Sequence, residues 1–159
     1  MIKVLAIGDV GNIITTISKF SKSKIHVINF IQDGMGKYTY ADGVKTFSSY
    51  KVSEQVKQIN QIKDEFDICI TMGTGERIAY LADLNYVPFY VGRDIDAPRF
   101  KKNSKEEWFD EPLHKLNFFE RRFYKNAFEN AVSHVAYGWA FEHLKKFTEN
   151  GIKMDMEPI

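Results

Sequence analysis

Two glycine-containing turns in this sequence have the composition of loops that bind a ligand through their backbone. The turn Gly8-Asp9-Val10-Gly11-Asn12 follows the apolar run 3–7, and the turn Gly73-Thr74-Gly75 follows the apolar run 66–71. A phosphate group is bound well where glycine lets the backbone approach and the N–H groups of a helix N-terminus face it. The residues predicted to face a phosphate group are Gly8, Gly11 and Asn12. A tight strand-to-helix turn without a ligand would use the same glycines.

The first turn is also close to the dinucleotide-binding fingerprint G-x-G-x-x-G, with Ala6 in the place of the first glycine. In that fingerprint an acidic residue about 20 positions later binds the ribose hydroxyl groups. Here that position falls near Asn29, and the nearest acid, Asp33, lies beyond the end of the predicted strand. The sequence therefore disfavours NAD as the ligand, and no cofactor is predicted.

A third glycine turn, Gly92-Arg93-Asp94, follows the apolar run 87–91 and carries charged side chains. Asp94 is a carboxylate at a predicted strand end, and Arg93 and Arg99 have the planar guanidinium groups that bind anions in bidentate contacts. Turn capping by the aspartate and solvation of the arginines explain the same residues without a ligand. The predicted acceptor cleft comprises Gly73, Thr74, Gly92, Arg93, Asp94 and Arg99.

Other chemistries lack the residues that they require. No lysine follows either of the first two turns in the pattern of a nucleoside triphosphatase, and no serine, threonine or cysteine has a nucleophile-elbow context. Metal-ligand spacing is absent among the histidines, which are His26, His114, His134 and His143. Hydrolase and triphosphatase functions are excluded, and neither a catalytic residue nor a metal ligand is predicted.

The elements that must position these turns follow from the apolar periodicity. Short apolar runs predict strands at 3–7, 25–31, 44–47, 66–71, 87–91 and 132–137. Strands that alternate with helices predict a doubly wound, mostly parallel sheet with helices on both faces, which is a Rossmann-like α/β fold. Because parallel strands place their following loops at one edge, the three glycine turns are expected to line one cleft.

Helices are predicted between these strands from the spacing of apolar residues. Ser53 is expected to cap the second helix, and Gly151 to close a final helix over 139–147. A further helix is predicted from about 113 to 130. The inner helix faces are predicted to contain Ile13, Ile14, Ile17 and Phe20, then Val56, Ile59 and Ile62, and then Ile78, Ala79, Leu81 and Ala82.

The composition indicates one domain over residues 1–159. Its 22 basic and 21 acidic residues give a net charge of +1, so no global field attracts nucleic acid, and no nucleic-acid partner is predicted. The single cysteine, Cys69, lies in an apolar run and is predicted to be a core residue in a reducing compartment. The N-terminus has no signal-peptide pattern and no apolar stretch reaches bilayer length, so a cytoplasmic location is expected.

The order of segments resembles the N-terminal domain of the retaining, family-four-like glycosyltransferases with the two-domain GT-B architecture. The resemblance covers nearly the whole chain and lies in the order of loose motifs. The matching segments are 67–73 followed by a helix rich in alanine and leucine, Val87-Pro88-Phe89 with Gly92-Arg93-Asp94-Ile95, then 120–137, Gly151-Ile152 and Glu157-Pro158-Ile159.

The resemblance implies an enzyme that moves a sugar from a nucleotide-sugar donor to a sugar or lipid-linked acceptor. The donor would be bound mainly by a second domain that this chain lacks, so the chain is expected to be inactive by itself. Its own part would be the acceptor surface, with the first glycine turn facing the donor phosphates at Gly11. Two positions where the family carries histidine are Val91 and Met72 here, so no histidine role is transferred. The alternative is a standalone nucleotide- or dinucleotide-binding regulatory module.

Aromatic and basic residues alternate between Arg99 and Lys125. A lipid-linked acceptor would need such a surface for peripheral contact with a membrane. For Phe119 and Phe123 the sequence favours packing against the sheet, and for Trp108 and Phe109 both interpretations stay open.

Overall fold

The computed structural model describes residues 1–9, 13–21, 25–31, 44–91, 118–138, 140–145 and 151–154. The strands are β1 (Ile2–Ile7), β2 (Ile25–Ile31), β3 (Val44–Thr46), β4 (Ile68–Thr71), β5 (Tyr86–Tyr90), β6 (His134–Tyr137) and β7 (Gly151–Met154). The helices are α1 (Ile13–Phe20), α2 (Val52–Asn60), α3 (Gly75–Leu81), α4 (Phe118–Glu129) and α5 (Ala140–Leu144), and a 3₁₀ turn spans Lys63–Glu65.

The seven strands form one sheet in the order β3-β2-β1-β4-β5-β6-β7, and every pair is parallel. From β1 the chain moves outward through β2 to β3, returns to place β4 on the other side of β1, and continues to β7. This order confirms the predicted doubly wound, Rossmann-like α/β fold. The strand order reverses between β1 and β4, which is where such sheets bind their ligands.

Both faces of the sheet are covered by helices. Successive residues of β1 point to opposite faces. Leu5 and Ile7 pack with residues of α2 and α3, whereas Val4 and Ala6 pack with residues of α1. Residues 4–7 are all buried, as expected for a central parallel strand covered on both sides.

The inner faces of the helices were predicted correctly except near the helix ends. Ile14, Ile59, Ile78 and Ala82 belong to the core. Phe20, Leu81 and Phe119 were predicted to face the sheet but are 73%, 44% and 78% exposed. Each lies in the first or last turn of its helix. Phe123 is partly buried, and its described ring contact on another element is with Tyr80 of α3, edge-on with ring centroids 5.3 Å apart.

Two predicted helix boundaries are wrong. Ser53 lies inside α2, whose N-cap is Lys51 and has no side-chain cap hydrogen bond. Gly151 does not close a helix but begins β7, which pairs in parallel with β6 over Gly151–Met154. The predicted strands 66–71 and 132–137 begin two residues later, at Ile68 and His134. Residues 113–117 and 157–159 lie outside the described residues.

No helix in the described part of the chain combines the length and the apolar character needed to cross a membrane.

Cys69 is buried in the cluster that contains Leu5, Ile78 and Tyr86, as predicted. Burial raises the pKa of its thiol well above the ordinary value, because the thiolate would lose its hydration.

Since the thiolate is the reactive form, we expect iodoacetamide to alkylate Cys69 in the folded protein about 100-fold more slowly than in the unfolded protein. Mass spectrometry over time, with and without guanidinium chloride, measures both rates. Equal alkylation rates would show that local unfolding around β4 exposes Cys69 to the reagent readily.

Candidate functional site

The first two glycine turns meet at the carboxyl edge of the sheet, on either side of the point where the strand order reverses. Ile7 at the end of β1 is the register partner of Thr71 at the end of β4. The Met72 amide donates a hydrogen bond of 2.9 Å to the Ile7 carbonyl oxygen, and the Gly75 amide donates one of 3.0 Å to the Met72 carbonyl oxygen. The loops after β1 and β4 are thus joined directly.

Gly8 is required by this junction. Its φ of +89° is one that residues with a side chain rarely adopt. A Cβ atom at this position would lie within 3.0 Å of the Met72 carbonyl oxygen. Its amide donates to the Phe30 carbonyl oxygen at 2.8 Å. Because that N–H group is already used, Gly8 can face a phosphate group only through its Cα atom.

The second turn contains one closely packed glycine and two exposed residues. A Cβ atom on Gly75 would lie within 3.0 Å of the Ile7 carbonyl oxygen, so only glycine lets α3 begin directly on the end of β1. Gly73 and Thr74, which were predicted to line the cleft, are exposed at this edge. Gly73 has a φ of +53°, and a Cβ atom added to it would have no neighbour within 4 Å, so this glycine is explained by backbone conformation.

The N-terminus of α1 is occupied by a carboxylate of the chain itself. Asp9 is 1% exposed. It accepts hydrogen bonds from the Ile13 amide at 2.7 Å, the Ile14 amide at 3.0 Å and the Thr15 amide at 3.2 Å. The Thr15 hydroxyl adds a longer contact of 3.4 Å. Asp9 therefore fills the position in which a helix N-terminus would otherwise bind an anion.

Burial and hydrogen bonding act on the Asp9 carboxyl group in opposite directions. Desolvation raises its pKa above the ordinary value and outweighs the hydrogen bonds from Thr15, Ile13 and Ile14, which lower it. A folded-state pKa above the unfolded value means that the folded protein binds the proton more tightly. The Asp9 contribution to stability is therefore greatest at acid pH and declines as the pH rises through the folded pKa.

Asn29, at the position that the dinucleotide fingerprint would give to an acid, holds the first turn instead. It is buried opposite Ala6, and its side-chain amide donates to the Asp9 carbonyl oxygen at 2.8 Å. Its own side-chain oxygen has no hydrogen-bond partner among the described residues. Asn29 therefore holds the backbone of the loop at Asp9.

The first turn of α3 contributes two charged residues that no sequence motif singled out. Glu76 is buried and accepts a hydrogen bond of 3.3 Å from the Tyr90 hydroxyl. Arg77 is partly buried, with its guanidinium carbon 5.3 Å from the centre of the Phe123 ring. Their proximity to the glycine turn in the sequence was the available signal, since a helix that starts at a ligand edge presents its first-turn side chains there.

Several predicted site residues lie outside the described residues: Gly11, Asn12, Gly92, Arg93, Asp94, Arg99, Trp108 and Phe109. Their roles stay predictions. Among the residues that the structure describes, no three or more histidine, cysteine, aspartate or glutamate side chains are grouped to bind a metal ion.

Comparison with known proteins gives only a distant structural similarity. No family model matches the chain, and no curated protein matches it. A solved structure to which it is similar is a wide-type short-chain dehydrogenase/reductase from Veillonella parvula in complex with NADP. The two chains are 8% identical with a TM-score of 0.45, over 87% of this chain and 70% of the other. At that level of similarity the neighbour says nothing about ligand or reaction, and the Rossmann-like assignment depends on the strand order of this chain itself.

Proposed function

We propose that this chain is the acceptor-side domain of a glycosyltransferase and that a second domain binds most of the nucleotide-sugar donor. The proposal depends on one observation above all, which is the Asp9 carboxylate at the N-terminus of α1. The order of sequence motifs that resembles the GT-B transferases supplies the reaction class.

A Rossmann-like domain that binds a dinucleotide by itself holds the diphosphate at the N-terminus of the first helix. Here the amides of Ile13, Ile14 and Thr15 already donate to Asp9. A phosphate group would have to displace a buried carboxylate or approach a group of like charge, and both cost free energy. The diphosphate must then find most of its contacts elsewhere, as it does when a second domain supplies them.

In this proposal the carboxyl edge of the sheet is the acceptor surface and the wall of the cleft. Gly73 and Thr74 are exposed there. The loop residues Gly92, Arg93, Asp94 and Arg99 would complete the surface, while Gly11 and Asn12 would face the donor phosphates as the two domains close. The acceptor would be a sugar or a lipid-linked sugar, and the second would bring the domain into contact with a membrane surface.

Nuclear magnetic resonance titration of the isolated chain tests this proposal. We expect uridine and guanosine diphosphate sugars, NAD and NADP all to bind with dissociation constants weaker than about 1 mM, because the main diphosphate position is filled. The amide resonances of Ile13, Ile14 and Thr15 should not move. A micromolar dissociation constant accompanied by shifts of these three amides would overturn the proposal and establish a standalone nucleotide-binding module.

A further inference from the structure

Arg77 lies at the carboxyl edge of the sheet and is oriented by aromatic rings. It is the third residue of α3, which begins on the end of β1. Its guanidinium group lies over the ring of Phe123 on α4, 5.3 Å from the ring centre. Phe123 is itself held edge-on against Tyr80, at an interplanar angle of 73°. A cation–π contact of this kind fixes the guanidinium plane without neutralising its charge.

No anion balances Arg77 within the described part of the chain. The described ion pairs join Lys57 with Glu54, Lys125 with Glu129 and Lys145 with Glu142. The neighbouring carboxylate of Glu76 instead accepts a hydrogen bond from the Tyr90 hydroxyl. The Nε–H group of Arg77 is buried and has no acceptor among the described residues. The guanidinium charge is therefore not compensated by a carboxylate among the described residues.

The N–H groups at the start of α1 and the guanidinium group on α3 differ in whether a carboxylate of the chain already contacts them. On the α1 side, the amides of Ile13, Ile14 and Thr15 are occupied by Asp9. On the α3 side, Arg77 follows the exposed residues Gly73 and Thr74 and remains without an ion pair among the described residues. The anion position on the α1 side is thus filled, whereas the guanidinium group of Arg77 on the α3 side has no ion pair among the described residues.

We propose that Arg77 binds a phosphoryl group of the substrate, with its two terminal amino groups donating to two phosphoryl oxygens. Guanidinium and phosphate match in this bidentate geometry, which a lysine cannot reproduce. The identification of that substrate as the acceptor rests on the proposed glycosyltransferase function, but the phosphoryl contact does not. Its source is a soluble sugar phosphate or the phosphate that links a sugar to a lipid.

The wild-type protein can be tested directly through the Nε–H resonance of Arg77. We expect this resonance to shift saturably with inorganic pyrophosphate in solution, or with phosphatidylcholine vesicles that contain phosphatidic acid, and not with pure phosphatidylcholine vesicles. A response to pyrophosphate alone identifies a soluble phosphate, and a response to the anionic vesicles alone identifies a lipid-linked one. Absence of a saturable shift in both arms overturns the proposal.

Variants separate the bidentate contact from general charge. We expect Arg77→Gln to weaken binding at least about tenfold and Arg77→Lys to restore only part of the loss, since a bidentate charged contact is worth more than 1.4 kcal/mol. Arg122→Gln is the matched control, because Arg122 is an exposed arginine on α4. Equal losses of affinity for the phosphoryl probe in Arg77→Gln and Arg122→Gln would contradict the proposal. Failure of the glycosyltransferase proposal is separate, because it appears as micromolar nucleotide binding with shifts of the Ile13, Ile14 and Thr15 amides.

Discussion

Gly75→Ala is expected to lower the free energy of unfolding by at least about 4 kcal/mol, a large part of the stability of a domain of this size. A Cβ atom at this position would lie within 3.0 Å of the Ile7 carbonyl oxygen and 2.8 Å from the Ile7 carbonyl carbon. Both are backbone atoms of the central strand, so neither can move without disturbing the pairing of β1 with β2 and β4. Overpacking against backbone cannot be relieved by a change of rotamer.

Gly73→Ala provides the matched control in the same turn. Gly73 has a φ of +53°, but no atom lies within 4 Å of an added Cβ. The expected cost is the backbone penalty alone, about 1 kcal/mol. Urea unfolding followed by circular dichroism measures both variants against the wild type. Equal losses of unfolding free energy in Gly75→Ala and Gly73→Ala would show that α3 does not begin as close to the end of β1 as the structure indicates.

The glycines of the two turns show how far sequence reasoning reaches. Strand, glycine turn and helix in succession predicted the edge at which Gly8 and Gly73 lie, since parallel topology alone brings these loops together. The same pattern could not distinguish a glycine needed for a ligand from one needed for packing. Gly75 is explained by a contact with Ile7, 68 positions earlier in the chain. A pattern of neighbouring residues in the sequence cannot predict a contact between positions so far apart.

The fold was predicted through β6 because its strands are apolar runs that contrast with amphipathic helices. β7 was missed because Gly151–Met154 is short and begins with a glycine, which is a turn or helix-end signal. Phe20 and Phe119 were misplaced because helical periodicity gives the direction of a side chain but not whether another element covers the ends of the helix.

The structure brings the first two predicted turns to one edge of the sheet, but the third turn lies outside the described residues, so the site itself stays a prediction. The acid missing near Asn29 disfavoured a dinucleotide in the sequence, whereas the contacts of Asp9 with the start of α1 could not be derived from any sequence pattern. Arg77 could not be singled out, because its significance is the lack of an ion-pair partner among the described residues, and that depends on which side chains other elements bring nearby.

Asp9→Ala is expected to lower the free energy of unfolding by roughly 3 kcal/mol, because three N–H groups at the start of α1 lose their acceptor. Urea unfolding at neutral pH measures the loss. Thr15→Val is the control, since it removes only the 3.4 Å hydroxyl contact and keeps the three amide contacts. That variant should lose no more than about 1 kcal/mol.

Two further measurements on Asp9→Ala connect this stability effect with the proposed function. Burial raises the folded pKa of Asp9, so the stability difference between wild type and variant should be largest at acid pH and should narrow as the pH rises through that pKa. Removing the carboxylate also exposes an anion position, so inorganic phosphate should stabilise the variant more than the wild type. A variant that gains phosphate binding shows that Asp9 is what keeps a diphosphate from the first helix. A variant that is as stable as wild type at every pH and insensitive to phosphate would remove the main support for assigning the donor to a second domain.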